Sequence, residues 1–503
     1  MTTLTVETQY GSVEGLAANG CRQWLGIPYA APPIDKLRWH APQPHAGWTG
    51  PRSAQAFGSA SIQHRSHMTD ELPAGLDSCN EDCLTVNVFA PLETGNAPLP
   101  VMVWIHGGGF SIGASSQSMY HGAQLAQSGR VIVVSINYRL GVLGFLRLAD
   151  VTHGQIPATG NEGLLDQVAA LQWVRDNIHA FGGDPTRVTA FGESAGAMSI
   201  ASLCTMPAAS GLFQRAIIQS GSMHAAHDLA TANRVAEQFL LALPQSARNT
   251  LATATVRELR DAAQTLHGRL MIDERLSIMP TRPVVDGQTL PDLPIHRMRD
   301  GYAMPIPVLF GFNRDEWQYF ALLDRGIRKL DDAALEARLS IHYERKQIAT
   351  LQSLYGDIYD PGQRYCAIAG DVAYIMTTLQ AVEILAPRQP VYLYQFDHPG
   401  PGLGGAIGAC HLSEVPVEFC TLDAPGSGMR FGNGPTEKTL ASHMQAQWLA
   451  FAETGRPASA DWPDYAQRPG RYHFSTDSQW SADTSNARRD FWAGVSASVY
   501  RRV

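Results

Sequence analysis

The chain has neither a long hydrophobic run nor an excess of positive charge. Its longest apolar stretches, such as residues 131–134, are strand-length and far short of the about 20 residues that a membrane-spanning helix needs. Its 38 lysines and arginines stand against 46 aspartates and glutamates, which gives a net charge of −8. The basic surface expected of a nucleic-acid-binding protein is therefore missing. These absences predict a protein without a membrane span or a nucleic-acid partner.

Cysteine is also scarce. Seven cysteines among 503 residues, an odd number, fit reduced thiols better than a disulfide framework. Cys79 and Cys83 have no matching Cys or His pair at zinc-finger spacing, and Cys410 beside His411 has no second ligand cluster. Residues 1–6 carry neither the basic nor the apolar region of a secretion signal. We expect a cytoplasmic protein that binds no metal and no other cofactor.

Apolar, strand-length runs recur along the chain with helical segments between them. The runs occupy residues 101–105, 131–136, 188–191, 216–218, 308–310 and 391–394. They are continuously apolar, as expected for strands that are covered on both faces. Between two of them Leu164, Val168, Leu171 and Val174 recur every three or four residues, which predicts an amphipathic helix. The pattern indicates the α/β class with a doubly wound sheet.

Nothing in the sequence divides the chain into separate domains. It contains no internal repeat, low-complexity segment or long linker. We therefore predict one α/β domain over residues 1–503, with a large, mostly parallel twisted sheet and helices on both faces. Segments near residues 233–276 and 330–388 are helical in composition and interrupt the strand rhythm. They are expected to form helical lid insertions that roof a site.

The pentapeptide at residues 192–196, Gly-Glu-Ser-Ala-Gly, lies between a strand-like run and a helix-compatible stretch. A serine hydroxyl becomes a useful nucleophile when it projects from a sharp strand-to-helix turn, with glycines where side chains would collide. The helix that follows directs its N-terminus at a developing oxyanion. Ser194 is the candidate nucleophile, although the pentapeptide alone also fits a glycine-rich connector.

A second glycine-rich motif, His-Gly-Gly-Gly-Phe at residues 106–110, follows the apolar run 101–105. An oxyanion loop of the HGGG type belongs at this position, because glycines allow backbone N–H groups to turn toward the substrate. Read alone, the motif is better explained as a tight turn after a strand, and its pairing with the pentapeptide at residues 192–196 favours the oxyanion role.

The candidates for the general base are histidines. Five histidines follow the acid candidates along the chain: His342, His398, His411, His443 and His473. His342 and His443 lie in helix-like runs, and His473 lies near the tail. His411 lies in a loop after the run 391–396, where catalytic histidines of this fold project, and His398 in the same loop is the fallback.

The acid that orients the base should lie between serine and histidine in chain order. Asp315 and Glu316 both follow the apolar run 307–311, so either could reach the carboxyl edge of the sheet. The residues alone leave the two nearly even. A helix N-terminal carboxylate is a further interpretation of either residue.

With these motifs in place, the sequence resembles the type-B carboxylesterase/cholinesterase family of the α/β-hydrolases, in particular its bacterial para-nitrobenzyl-esterase-like members, over nearly its full length. The matching stretches are residues 24–30, 81–88, 106–110, 137–141, 163–167, 192–196, 219–221 and 283–287. The resemblance implies a triad of Ser194, Glu316 and His411. It also implies oxyanion donors from the backbone N–H groups of Gly108, Gly109 and Ala195. Two structural ion pairs follow from it, Arg38 with Glu81 and Arg139 with Asp166.

The chain departs from the family pattern at three places. Cys83 lacks an upstream partner in residues 59–63, so the first disulfide of the family is expected to be lost. Residues 63–82 contain no Trp, Tyr or Phe to bind a quaternary ammonium group, so choline esters are not expected substrates. Trp317 stands where a glycine usually follows the triad glutamate and is expected to narrow the local space.

The sequence therefore predicts a serine carboxylesterase that hydrolyses small-molecule carboxylic esters, of short to medium acyl or aryl type, through an acyl-enzyme. Two alternatives stay open: a carbamate or amide hydrolase that uses the same triad, and an inactive esterase-like interaction module. A Gly-x-Gly-x-x-Gly pattern at residues 400–405 is not followed by an amphipathic helix, so no dinucleotide cofactor is predicted.

Overall fold

The six apolar runs form the centre of one mixed sheet in the computed structural model, which describes residues 3–66, 72, 75–93, 95, 97–272, 279–483 and 487–500. The sheet has thirteen strands within these ranges. They are β1 (Thr3–Thr8), β2 (Gly11–Ala18), β3 (Cys21–Pro28), β4 (Arg52–Ser53), β5 (Thr85–Pro91), β6 (Leu99–Ile105), β7 (Ile132–Ile136), β8 (Gly183–Glu193), β9 (Arg215–Gln219), β10 (Val308–Asn313), β11 (Val391–Phe396), β12 (Gly470–Phe474) and β13 (Gln479–Ala482).

The strand order is β1-β2-β3-β5-β7-β6-β8-β9-β10-β11-β12-β13, with β4 paired to β2. From β7 to β12 every neighbouring pair is parallel. The flanking pairs on the path, from β1 to β7 and at β12 with β13, are antiparallel. The parallel centre confirms the predicted fold class, and it brings the carboxyl ends of β6, β8, β10 and β11 to one edge.

Helices fill most of the connections. They are α1 (Ala123–Ala126), α2 (Gly141–Gly144), α3 (Glu162–Asn177), α4 (Ala195–Leu203), α5 (Leu229–Ala242), α6 (Gln245–Asn249), α7 (Val256–Ile272), α8 (Pro294–Arg299), α9 (Gln318–Leu323), α10 (Asp332–Leu339), α11 (Arg345–Leu354), α12 (Pro361–Gly370), α13 (Met376–Leu385), α14 (Val415–Glu418), α15 (Ser427–Phe431), α16 (Pro435–Thr454), α17 (Ala487–Ala493) and α18 (Ala497–Tyr500). A π-helical turn, Asp371–Ile375, joins α12 to α13.

Strand β6 shows that both faces of the sheet are covered. Val101 and Val103 pack into one hydrophobic core, which also contains side chains of α3 and α4. Met102 and Trp104 point to the other face and pack into a second core with side chains of α16. All four side chains are fully buried, and each contributes about 1.5–3 kcal/mol through burial. β6 is thus continuously apolar because its side chains pack into two cores, one on each face of the sheet.

Both predicted insertions are helical. The first contains α5, α6 and α7, although its last residues, 273–276, lie outside the described residues. The second contains α10 to α13 and the π-helical turn. The continuous helix Pro361–Leu385 is long and apolar enough to cross a membrane, yet 78% of its most apolar window is buried inside the protein. It therefore packs as a core helix. It also covers one side of the site described below.

The two ion pairs expected from the family resemblance are present. Arg139 and Asp166 are both buried, with Nη2 of the arginine 2.7 Å from Oδ1 of the aspartate and Nε 2.8 Å from Oδ2. Arg38 forms a similar two-contact pair with Glu81. Arg139 also donates its backbone N–H to Asp166. The Arg139–Asp166 pair fixes the loop after β7 on helix α3.

Candidate active site

Ser194 occupies a strained turn between β8 and α4. Its φ of 55° and ψ of −124° lie in a region that side-chain-bearing residues rarely adopt. The flanking glycines allow the turn, because a Cβ on Gly196 would lie 1.9 Å from the carbonyl oxygen of Ile105, and one on Gly192 would lie 2.5 Å from the same atom. The N–H of Ser194 donates to the carbonyl of Gln219 at 2.9 Å. The pentapeptide therefore forms the sharp strand-to-helix turn that its sequence predicts.

The glycine-rich loop after β6 passes directly beside this serine. A Cβ on Gly107 would lie 3.1 Å from Cβ of Ser194. Gly108 and Gly109 have φ values of +110° and +59°, and a Cβ on Gly108 would lie 2.1 Å from the carbonyl oxygen of Ile112. Gly108 therefore requires glycine, and Gly109 has a left-handed conformation that favours it. Gly108 and Gly109 line the same cavity as Ser194.

Glu316 and His411 meet at the carboxyl edge of the sheet. Oε2 of Glu316 lies 2.6 Å from Nδ1 of His411. Oε1 of Glu316 accepts hydrogen bonds from the hydroxyl of Ser220 at 2.6 Å and from the N–H of Asn313 at 2.8 Å. These contacts hold the carboxylate in one orientation, and they leave Nε2 as the imidazole nitrogen that does not contact Glu316.

Asp315 is the second acid that the sequence allowed as the partner of the histidine. Its side chain makes other contacts. Its carboxylate accepts the N–H of Ala409 at 2.9 Å and pairs with Arg314 at 2.8 Å. Asp315 thus supports the loop that carries His411 and does not contact the imidazole. The geometry selects Glu316 as the partner of His411, even with Trp317 directly after it.

The other four histidines have different positions and hydrogen-bond partners. Nε2 of His398, the fallback, lies 3.0 Å from a carboxylate oxygen of Glu437. His443 and His473 make their hydrogen bonds at or beside β12. His342 lines the same cavity as Ser194 but lies in the connection between α10 and α11. Of the five histidines, only His411 pairs with an acid from the edge where β10 ends.

Ser194 and His411 share one cavity without a direct hydrogen bond between them. Nε2 of His411 lies 3.0 Å from Oε1 of Glu193, and among the described residues neither atom has an aligned hydrogen-bond partner. Catalytic hydrogen bonds are often loose in unliganded enzymes and tighten when substrate binds.

Three further glutamates surround this pair. Glu193, Glu414 and Glu418 are all buried, and burial raises the pKa of each, to about 8 for Glu414. Neighbouring glutamate charges raise them further. The sequence reasoning missed these groups. Glu193 was visible as the residue before the nucleophile, whereas nothing in the sequence pattern identified Glu414 and Glu418.

The cavity above Ser194 has a volume of about 280 Å³. Its wall near the serine is mainly apolar and comes from the segment after Glu316 and from the second insertion, with Trp317, Phe320, Ile368 and Val372 as examples. Trp317 is buried, and its ring centre lies 4.7 Å from that of Phe320. The tryptophan therefore shapes the cavity wall. Among the described residues, no group of three or more His, Cys, Asp or Glu side chains is placed so that it could hold a metal ion.

Three features together define an α/β-hydrolase. They are a sheet with a parallel centre and helices on both faces, a serine on a strained strand-to-helix turn, and a glycine loop beside that serine.

The chain belongs to the carboxylesterase family, whose model, described as "Carboxylesterase family", matches residues 2–492. It is 39% identical over 477 residues to the para-nitrobenzyl esterase of Bacillus subtilis (strain 168), covering 92% of this chain and 93% of that protein. It is 33% identical over 479 residues to the phenmedipham hydrolase of Pseudarthrobacter oxydans, covering 91% of this chain and 92% of that protein.

Solved structures give the same result. A structure described as a thermophilic PNB esterase superposes with a TM-score of 0.86 at 36% identity, covering 98% of this chain and all of that one. The protein is a carboxylic ester hydrolase that acts on small-molecule esters. The predicted family, fold class and activity are confirmed. Neither the amide or carbamate alternative nor the inactive module is favoured.

Proposed function

We propose that Ser194, His411 and Glu316 form the catalytic triad of this esterase, and that the N–H groups of Gly108, Gly109 and Ala195 bind the oxyanion. The contact of 2.6 Å between His411 Nδ1 and Glu316 Oε2 carries the proposal. When Nδ1 donates its proton to Glu316, Nε2 is the ring nitrogen that can accept the proton of Ser194, as a general base requires.

In the first half of the reaction Oγ of Ser194 attacks the ester carbonyl carbon while its proton passes to Nε2 of His411. The carbonyl oxygen becomes an oxyanion and receives hydrogen bonds from the glycine loop and from the start of α4. Glu316 stabilises the imidazolium that forms. The alcohol then leaves with the proton from His411, and the acyl group stays on Ser194.

In the second half a water molecule gives a proton to His411 and attacks the acyl carbon. The bond between that carbon and Oγ breaks, and His411 returns the proton to Oγ. The carboxylic acid is released. Preformed donors in a site that excludes water make such charge development less costly than in solution, by about 3–4 kcal/mol for a single donor.

We further propose that the preferred substrates are short to medium acyl or aryl esters. The volume of about 280 Å³ and the aromatic wall at Trp317 and Phe320 support this range. A series of p-nitrophenyl esters from acetate to palmitate tests it. The highest kcat/KM should fall on the shorter members, and a maximum on palmitate would contradict the proposal.

The triad assignment is tested by Ser194→Ala, which should lower kcat on p-nitrophenyl acetate by about a million-fold. Ser199→Ala is the matched control, because Ser199 is buried in the same helix and its hydroxyl accepts from Gln167 at 3.0 Å. The control should keep wild-type activity. Substantial turnover by Ser194→Ala would contradict the assignment.

We also propose a soluble, cytoplasmic protein with a single folded domain. The burial of helix Pro361–Leu385 in the core supports solubility, and the one continuous sheet supports a single domain. Fractionation of cells that produce the protein tests its location, which should be the soluble cytoplasmic fraction. Calorimetry should show one cooperative unfolding transition.

A further inference from the structure

The glycine loop after β6 continues into a return segment, residues 111–113, that folds back onto it. The N–H of Ile112 donates to the carbonyl of Gly108 at 3.1 Å, and a Cβ on Gly108 would lie 2.1 Å from the carbonyl oxygen of Ile112. Gly113 has a φ of +110°, and a Cβ there would lie 2.7 Å from the carbonyl oxygen of Gly107. The return segment therefore lies directly against the loop that carries the proposed oxyanion donors.

One side chain, that of Gln63, holds Gly113 by both of its backbone polar groups. Nε2 of Gln63 donates to the carbonyl of Gly113 at 3.0 Å, and the N–H of Gly113 donates to Oε1 of Gln63 at 2.8 Å. Gln63 lies 50 residues earlier, in the connection between β4 and β5. Two hydrogen bonds to the same residue fix both its position and its orientation, because one bond alone would still allow rotation.

The amide of Gln63 fits its surroundings in one orientation. Nε2 also donates to the carbonyl of Ser61 at 3.0 Å, so both of its hydrogens are used. With the amide reversed, its oxygen would face two carbonyl oxygens and its NH₂ group would face an N–H. Gln63 is buried, with 3% of its surface exposed, so water does not replace these partners. Neither a glutamate nor an apolar side chain can make all three hydrogen bonds.

Other residues support the two ends of the glycine run. The hydroxyl of Tyr138 donates to the carbonyl of His106 at 2.8 Å, and the N–H of Gly141 donates to the carbonyl of Phe110 at 2.6 Å. Both contacts come from the chain after β7. Gln63 adds the contact that determines how the return segment lies on the glycines between these ends.

We propose that Gln63 is a positioning residue for ester hydrolysis, which holds the N–H groups of Gly108 and Gly109 where the carbonyl oxygen of the ester becomes negatively charged. The proposal rests on the proposed oxyanion role of these two glycines. Gln63 is not among the described residues that line the cavity at Ser194, so it acts through the loop rather than on the substrate.

The effect of Gln63 should be confined to the transition state. Oxyanion donors lower the barrier because they are in place before charge develops, and donors that have to move first lose part of this advantage. The unreacted ester carries no such charge. Loss of Gln63 should therefore weaken binding of the transition state and leave binding of the unreacted ester nearly unchanged.

Gln63→Met removes the three hydrogen bonds with little change in the length of the side chain. Hydrolysis of p-nitrophenyl acetate should show kcat/KM lowered by about 10–100-fold, because misplaced donors stabilise the oxyanion less well. Thermal unfolding of the variant is measured in parallel. A loss of stability with wild-type kcat/KM would mean that Gln63 has a structural role alone.

Two matched inhibitors separate the oxyanion from the rest of the site. With benzyl trifluoromethyl ketone, Oγ of Ser194 forms a bond to the carbonyl carbon, its proton passes to His411, and the carbonyl oxygen keeps the electron pair as an oxyanion. Benzyl methyl ketone occupies the same cavity largely unreacted. In Gln63→Met the Ki of the trifluoromethyl ketone should rise by about 10-fold or more, and that of the methyl ketone should change by less than about 3-fold.

Two further variants complete the experiment. Gln447→Met makes the same change at another glutamine with 3% exposure, whose Oε1 accepts the N–H of Ser459 at 2.9 Å in contact with α16, and should leave kcat/KM and both Ki values unchanged. Gln63→Glu retains the acceptor for Gly113 but lacks the two donors, and should behave as Gln63→Met does. It provides the same test if the methionine variant does not fold.

Unchanged affinity of the Gln63 variants for the trifluoromethyl ketone, or an equal loss for both ketones, would overturn the proposal. Gly108→Ala shows whether the proposed function fails instead, since this change displaces the loop directly. If Gly108→Ala also retains full affinity for the trifluoromethyl ketone, the proposed oxyanion donors are wrong. If wild-type Ser194 forms no adduct with this ketone, the proposed triad is wrong.

Discussion

His411 and Glu316, 95 residues apart in the chain, meet through Nδ1 and Oε2 at a distance of 2.6 Å. The carboxylate reaches this position because Glu316 lies just beyond β10 and accepts hydrogen bonds from Ser220 and Asn313. In a serine hydrolase such a carboxylate orients the imidazole and stabilises the imidazolium that forms during the reaction. The pair is the structural basis of the mechanism proposed above.

Glu316→Gln should lower kcat by about 10³–10⁴-fold with little change in thermal unfolding, since the amide can favour the wrong tautomer of His411 and cannot stabilise its cation. Steady-state hydrolysis of p-nitrophenyl acetate measures the loss. Glu437→Gln, which alters a second histidine–carboxylate pair, His398 with Glu437, is the matched control and should keep wild-type kcat. If both variants behave alike, the assignment of the acid is wrong.

Gly108→Ala should reduce activity strongly, because the new Cβ would lie 2.1 Å from the carbonyl oxygen of Ile112 and would displace the loop that carries the proposed oxyanion donors. A fall in kcat of about 100-fold or more is expected, similar to the loss of one oxyanion donor. Gly154→Ala is the control, since its φ is +80° but no atom lies within 4 Å of the new Cβ. It should cost about 1 kcal/mol of stability and no activity. Equal kcat values for the two variants would argue against the oxyanion role.

Stability should fall as pH rises from about 5 to 8. Burial raises the pKa of Glu414 from 4.5 to about 8, so in this range the folded protein retains a proton that the unfolded chain has lost. The unfolded state is then favoured progressively, by on the order of 3 kcal/mol over the range. Glu414→Gln should flatten this dependence in urea unfolding at pH 5, 6, 7 and 8.

A glutamate outside the buried group provides the comparison for this prediction. Glu237 is exposed, and Glu237→Gln should leave the slope of stability against pH as it is in the wild type. The stability of Glu414→Gln should still decrease somewhat with pH, because burial also raises the pKa of Glu193 and Glu418. An unaltered slope in Glu414→Gln would contradict the pKa of about 8.

Asp166→Asn should destabilise the fold by about 3–5 kcal/mol, because it leaves the buried guanidinium of Arg139 without its counter-charge. Chemical denaturation measures the effect. Asp261→Asn breaks an exposed pair, in which Nε of Arg257 lies 3.7 Å from Oδ2 of Asp261, and should cost less than about 0.5 kcal/mol. A small effect at Asp166 would mean that solvent or another group compensates the arginine.

Local chemistry explains which parts of the structure the sequence could predict. Ser194 and the loop at Gly108 are recognisable because their backbone geometry demands glycines at fixed positions. The central strands are recognisable because both faces are buried. Strands such as β2, with its partly exposed positions, have no continuous apolar run and were not predicted. The choice between Asp315 and Glu316 needed the family resemblance, because adjacent acids at a strand end are equivalent until the loop around them folds.

The buried carboxyls and Tyr374 could not be found from the sequence. Glu418 is fully buried and accepts a hydrogen bond from Gln219 at 2.6 Å, a contact between residues 199 positions apart. A glutamate on a short helix gives no sign of such burial. Tyr374 is one of sixteen tyrosines, and its place in the lining of the cavity depends on the π-helical turn that carries it. Both features arise from long-range packing.

The most direct test of the central claim is to locate the covalently modified residue. The protein is treated with a fluorophosphonate probe, digested and analysed by mass spectrometry, and the remaining esterase activity is measured in parallel. The account predicts one probe per chain, attached to Ser194, with activity lost in proportion to labelling and no labelling of Ser194→Ala. Modification of a different residue, or full activity after Ser194 is labelled, would contradict it.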